Sequence, residues 1–197
     1  DKDYGVSVVR DISERKQAEE ELLRLNRTLK ALSAGNHALV HAEDEKSLLE
    51  NMCRAASEAG YVLAWVGYAL QDEKKSIVPM AMFGEGKAYV EGLHITWDDH
   101  PLGRGPVGTA VRTGQTQIAN DISSNPGMEP WREAAAMYGY ASVIALPLPG
   151  NGQVIGALTI YAAEPDAFGH DQVELLEEMA SDLAFGIVTL RIRIEHE

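Results

Sequence analysis

The chain has 197 residues, 45% of them hydrophobic, and carries 30 acidic residues against 17 Lys and Arg for a net charge of −13. That length holds one ordinary domain with extensions, the hydrophobic content excludes a largely disordered chain, and the acidic balance argues against nucleic acid or an anionic membrane surface as the main partner. A lone cysteine, Cys53, excludes an intrachain disulfide, and with no signal-peptide pattern and no run of 18 apolar residues the expected location is the cytoplasm.

Residues 1–12 read as a short strand, with Val6 and Val8 alternating against Ser7 and Val9. A helix follows from Asp11, which has capping-box spacing to Glu14, and runs to Val40. Within it Leu22, Leu25, Leu29, Leu32 and Leu39 fall at a and d positions of a heptad, with Asn36 at the remaining one. So narrow a stripe suggests a two-stranded seam, and a polar Asn36 in it favours a parallel homodimer. The alternative is an amphipathic helix lying on its own domain. Asp44 is a plausible N-cap for a second helix, which Gly60 ends, and Cys53 within it is expected to be a small buried side chain.

From Tyr61 the pattern changes to strands. YVLAWVGYAL and SIVPMAMFG form a hairpin across QDEKK, and a helical turn follows around GKAYVEGL. ITWDDHPLGRGPVGTAVRTGQ is then a loop running into a short helix, with Gly105 as N-cap, Pro106 at the first helical position and Gly114 as the stop. TQIANDI is another strand, WREAAAMYG a short helix, and YASVIALPL and QVIGALTIYAA a hairpin through Asn151–Gly152, both of which tolerate positive φ. The last helix keeps a 3-4 apolar spacing that includes Leu176, Leu183, Ile187 and Leu190, a second candidate dimer seam.

Several of these segments together resemble a GAF domain, the small-molecule sensor module of bacterial signalling proteins. The resemblance covers residues 36–190 and rests on GYVLAWVGYAL, ITWDDHPLGRGPVGTAVRTGQ, ASVIALPL, QVIGALTIYAAEPDAF and LLEEMASDLAFGI. GVSVVRDISERKQAEEEL resembles the last strand and exit motif of a PAS domain. The implied organisation is a PAS tail over 1–12, a coiled-coil signalling helix over 13–42, a GAF domain over 43–190, and over 191–197 the start of a helical linker to an output domain. The implied fold is α+β: a central antiparallel sheet of five to six strands, long N- and C-terminal helices on one face, and short helices and loops over a pocket on the other.

The resemblance places the ligand beneath the loop and helix of the 95–115 stretch. There Trp97, Asp98, Asp99, Arg104, Gly105, Thr109 and Trp131 are the candidate ligand-binding residues. The helix N-terminus with Arg104 beside it suits an anionic group, and Trp97 and Trp131 could stack on a planar one. Asp98 and Asp99 could bind a cationic or hydroxyl-bearing group. Alternatively they pair with Arg104, and the tryptophans are core.

The resemblance also excludes chemistries. PWREAAAMYG holds no cysteine for a covalent bilin. Phe168 and Asp171 are a poor fragment of the cyclic-nucleotide motif, and one cysteine cannot run the disulfide cycle of the GAF methionine sulfoxide reductases. His37 and His41, one helical turn apart, lie on the first helix away from the pocket, and His94 and His100 near the pocket belong to no metal-spacing motif, so neither haem nor another metal is expected. The cofactor is otherwise open.

The functional expectation is a non-enzymatic regulatory module. It would bind a small molecule and relay the signal through dimeric terminal helices to an output domain in cis, of diguanylate cyclase or histidine kinase type. The alternative is a structural dimerisation and relay module with a vestigial pocket.

Overall fold

The computed structural model describes residues 2–196, so Asp1 and Glu197, the outermost positions of the two predicted terminal segments, lie outside the described residues. The chain begins with one long helix, α1 (Lys2–Val40), followed by α2 (Glu45–Glu58). A hairpin of β1 (Leu63–Ala69) and β2 (Ile77–Gly84) leads to α3 (Lys87–Glu91), a 3-10 turn at Pro101–Gly103, and α4 (Pro106–Thr113). Then come β3 (Gln117–Ala119), a 3-10 segment Pro126–Trp131, α5 (Arg132–Met137), β4 (Ser142–Gly150), β5 (Gln153–Ala162) and α6 (His170–Glu195). The strands form one antiparallel sheet in the order β2-β1-β5-β4-β3.

Local chemistry sets most of these boundaries. Asp44 caps α2 by accepting from Ser47 N–H at 2.7 Å, and Gly60 beyond its end sits at φ +124°. The β4–β5 turn has Asn151 and Gly152 both at positive φ, as a two-residue hairpin requires. Pro147 and Pro149 lie in the part of β4 that extends beyond its pairing with β3, and on the other edge β2 carries Pro79 beside a bulge at Met80. Prolines and a bulge blunt both edges against further strand pairing.

The sheet is covered on both faces. α2 and α6 pack directly on one face, and α1 lies across them as an outer layer. Glycines let the three helices approach: a Cβ on Gly35 of α1 would meet Met52 Sδ at 2.9 Å, and one on Gly186 of α6 would meet Leu39 and Leu48 at 2.5 and 2.8 Å. The core on this side includes Ala31, Leu48, Met52, Cys53, Ile144, Leu158, Leu176, Leu183 and Ile187. Among the described residues no helix is long and apolar enough to cross a membrane.

The two ends of the chain depart from the sequence expectations. Residues Gly5–Asp11 are helical, so the strand expected over 1–12 does not form, and Asp11 lies inside α1 instead of capping it. A strand needs a neighbour for its backbone N–H and C=O groups, and none of the five strands pairs with this segment, whereas a helix satisfies them internally. Glu14 instead accepts from Arg10 at 3.1 Å.

The heptad of α1 divides in two. Leu32 and Leu39 pack against the chain's own core, and Leu25 is half-buried. Leu22, Leu29 and Asn36 point outward, Leu22 at 68% exposure and Leu29 at 47%. On α6, Leu176, Leu183, Ile187 and Leu190 are all buried within the domain, so they are core residues and offer no seam to a partner. Phe185 and Ile192 are the exposed apolar residues on the opposite face of that helix.

Two polar clamps tie the helices to the sheet. Thr28 and Tyr61 share a buried hydroxyl–hydroxyl bond of 2.9 Å, next to an Arg27–Glu164 ion pair. Near the far end of α6, Arg191 grips Glu45 through two bonds of 2.9 and 2.7 Å, and the Tyr68 hydroxyl donates to the same carboxylate. The Arg191 bond holds the Glu45 carboxyl below its ordinary range despite partial burial. A depressed folded-state pKa gives stability that is present above the unfolded value of 4.5 and lost as pH falls through the folded value. Glu45→Gln is therefore expected to cost about 1–2 kcal/mol near neutrality. That gap should close in thermal melts taken below pH 4.5; a gap that stays constant to pH 3 would contradict the assignment.

Candidate functional site

The sheet face opposite α2 and α6 carries Leu63 and Trp65 of β1, Val143 and Ala145 of β4, and Ala157, Thr159 and Tyr161 of β5. This is the period-two alternation of strands whose other face forms the helical core. α3, α4, α5 and the loops between them cover it.

α4 starts as its sequence dictates. Pro106 occupies the first turn, and Gly105 is an extended N-cap with no side chain to offer, so the first N–H groups have no side-chain cap. A Cβ on Gly108 would lie 2.4 Å from both Gly103 O and Thr96 O, and one on Gly105 would meet the Trp131 ring at 2.4 Å. These glycines allow the 96–105 loop and Trp131 to close on the helix backbone. Arg112, in the last turn of α4, fastens that loop by donating to Gly103 O, Asp98 O and Trp97 O at 2.9, 3.0 and 3.3 Å.

Behind the first turn of α4 lies a small cavity. It is lined by residues 105–108 of α4 and its N-cap, by Tyr89, Leu93, Ile95, Met128 and Trp131, and by Val143 and Tyr161 of the sheet. Its volume is about 10 Å³, room for about one water. Tyr89 and Tyr161 bring their hydroxyls to 3.3 Å, and the Tyr140 hydroxyl donates to Glu85 O nearby, with its ring 4.8 Å from that of Tyr161. Burial pushes the phenols of Tyr89 and Tyr161 up, so both remain neutral.

The predicted site residues divide among three places. Gly105 and Trp131 line the cavity. Arg104 and Thr109, again with Gly105, border a separate shallow hollow of about 80 Å³ with Gln117, Asn125 and Gly127. Trp97, Asp98 and Asp99 line neither. Trp97 donates its indole N–H to Leu70 O at 2.9 Å, with the Lys75 ammonium 5.0 Å from its ring. Asp98 faces Lys75 at 3.3 Å, and Asp99 pairs with Arg104 at 2.8 Å, which holds its carboxyl below the usual range.

The expected common cluster is thus replaced by an exposed ion pair and a half-buried tryptophan packed against the core of this face. Charged groups stay in water unless a partner compensates their desolvation, and no charged side chain lines the cavity. The anion site expected from Arg104 therefore does not belong to this cavity. Tyr89, Tyr140 and Tyr161 belong to no motif in the sequence, although the alternation in LTIYA puts Tyr161 on the face of Thr159.

Other reactive groups lie elsewhere. Cys53 is fully buried on the helical side, where burial pushes its thiol up to about 12. His94 and His100 are exposed and absent from the cavity lining, and His37 and His41 stack on each other at 4.1 Å along α1. His170, Asp171 and Glu174 bring possible metal donors within 4.8 Å of one another, but all three are exposed at the start of α6.

A family model for the GAF domain matches residues 42–188. The chain belongs to the GAF domain family. Its fold is that of the GAF domain from a Coxiella burnetii phosphoenolpyruvate-protein phosphotransferase, with a TM-score of 0.70 at 20% identity over 87% of this chain and 98% of that one. It also matches a free methionine-R-sulfoxide reductase from Neisseria meningitidis in complex with its substrate, with a TM-score of 0.68 at 20% identity over 84% and 91% of the two chains. These likenesses establish the fold, which is also that of an enzyme. In sequence, the chain is 28% identical over 177 residues to a methyl sulfide methyltransferase-associated sensor from Methanosarcina acetivorans, covering 88% of this chain and 16% of that protein. The chain thus spans a small part of that relative.

Proposed function

We propose that this GAF domain is a non-enzymatic sensory module that binds a small molecule between its sheet and α4 and relays the event through α1 and α6. The observation that carries the reading is the cavity: a helix start without a side-chain cap and a hydroxyl-bonded tyrosine pair meet there in an apolar enclosure. Such a cavity with few polar groups is the usual form of a small-molecule site. None of its lining residues is a cysteine, histidine, carboxylate or cation, so it holds no nucleophile–base pair for an enzyme to use. The sensor relative from Methanosarcina acetivorans supports the same class.

β1 provides a route for the relay. Trp65 lies on its cavity face, and three residues on, Tyr68 contacts the Glu45–Arg191 clamp at α2 and α6. A ligand shifts such a system only through different affinities for two arrangements of the helices. The partner is a second copy in parallel along the outward stripe of α1, with output to a cis domain of diguanylate cyclase or histidine kinase type in the cytoplasm. An upstream PAS domain rests on the sequence resemblance of residues 5–22.

A second reading, a relay module with a vestigial pocket, is favoured by the cavity volume of about 10 Å³. Native mass spectrometry of the purified protein against the denatured chain separates the two. An adduct lost in the cavity-filling variant Val143→Phe, with oligomeric mass retained, is the expected result. A bare protein in both forms, unresponsive to a metabolite extract, would support the relay reading instead.

A further inference from the structure

The chemical class of that ligand is narrowed by two buried polar groups, on the premise that the site binds a small molecule. Trp65 of β1 and Thr159 of β5 are direct cross-strand partners on the cavity face of the sheet. Both are fully buried; among the described residues neither Trp65 Nε1 nor Thr159 Oγ1 has a hydrogen-bond partner of good geometry, and neither lines the present cavity, although the Trp65 N–H faces the Tyr161 hydroxyl that does. Buried polar groups are nearly always paired, because an unpaired one forfeits its hydration without return. Thr159 lies two residues from Tyr161, about 7 Å along the same strand face. The Tyr161 hydroxyl already bonds to Tyr89 and borders the cavity. α4 packs over this part of β4 and β5.

We propose that Trp65 Nε1, Thr159 Oγ1 and the Tyr89–Tyr161 hydroxyl pair form the polar end of a site for a small uncharged molecule bearing a hydrogen-bond acceptor on an apolar body. The indole N–H can only donate, so it requires an acceptor, while the threonine and tyrosine hydroxyls adapt to donate or accept. The apolar body meets Leu93, Ile95, Met128 and Trp131. A carboxylate or phosphate is disfavoured, since only the N–H groups of the first turn of α4, and no cation, would compensate its desolvation. At about 10 Å³ the cavity admits a larger molecule only when α4 and the 126–131 segment move off the sheet. That movement would couple binding to the rest of the fold.

The test uses cyclohexanone as the neutral acceptor, with cyclohexanecarboxylate and cyclohexylammonium as charged analogues of similar shape. The indole N–H signals of Trp65, Trp97 and Trp131 are assigned from single Trp→Phe variants and followed during titration of the whole chain. The expected result is a saturable downfield shift of the Trp65 signal with the ketone alone. Thr159→Val should weaken ketone binding about 3- to 10-fold, the effect of one hydrogen bond, and Thr159→Ser should restore it. A stronger response to the carboxylate or the ammonium would overturn the proposal, as would equal ketone affinity in Thr159→Val. A Trp65 signal unmoved by all three probes would also overturn it, while an adduct in native mass spectrometry would leave the sensor reading standing.

Discussion

Replacing Leu183 with alanine is expected to destabilise the domain by about 2–5 kcal/mol and to leave its association unchanged. Leu183 is fully buried, on the face of α6 that packs into the core with Leu48, Ile144 and Ile187. Truncation removes buried methyl groups and leaves a cavity that close packing fills only in part. The 3-4 spacing on which Leu183 lies also suits a coiled-coil seam, and the two roles predict opposite results. A core residue lowers the denaturant midpoint with no change in sedimentation; a seam residue changes sedimentation with little change in the folding of each chain. An alanine variant of native stability but altered mass would restore the seam role and remove the present assignment of the α6 stripe.

The ambiguity shows which features were legible in the sequence. Where a boundary depends on neighbouring residues, it was readable: Asp44 capping α2, the Gly105–Pro106 start of α4, and Asn151–Gly152 between β4 and β5 all stand where their chemistry puts them. What an apolar stripe faces is not local. The same periodicity serves a helix buried on its own sheet and a helix buried on a partner. Val6, Val8 and Val9 illustrate the limit for strands, since β-branched alternation is only a propensity and pairing decides the outcome.

The site was legible to the same degree. Gly105 and Trp131 are readable because a Gly-Pro helix start leaves free N–H groups and a large aromatic ring offers a stacking surface. Asp98, Asp99 and Arg104 were placed with them because a loop beside a helix N-terminus suggests charge recognition, yet their charges remain in water. Tyr89, Tyr140 and Tyr161 come from α3, the loop before β4, and β5, and only the folded sheet brings their rings together.

Leu22→Glu combined with Leu29→Glu is expected to abolish self-association while leaving the thermal midpoint of the domain nearly unchanged. Along α1, Leu22, Leu29, Asn36 and Val40 lie on one stripe, opposite Ala31, Gly35 and Ala38, which face α2 and α6. Val40 is 78% exposed, and all of residues 5–23 are exposed, a stretch of ~28 Å at ~1.5 Å per residue. So long a helix exposed on every side is best stabilised by a second helix, since an isolated helix gains little from propensity alone. The blunted edges at Pro79, Pro147 and Pro149 leave the helical face as the route to a partner. Losing two buried leucines per chain should weaken the dimer by about 3 kcal/mol or more, over about 100-fold in dissociation constant. Sedimentation equilibrium reads this directly. A double variant that still sediments with the wild-type mass would place the dimer contact on another surface, with the exposed Phe185 and Ile192 of α6 the next to test. Monomeric wild-type protein would leave the relay without its second helix and remove the reason Asn36 stands on the outward stripe.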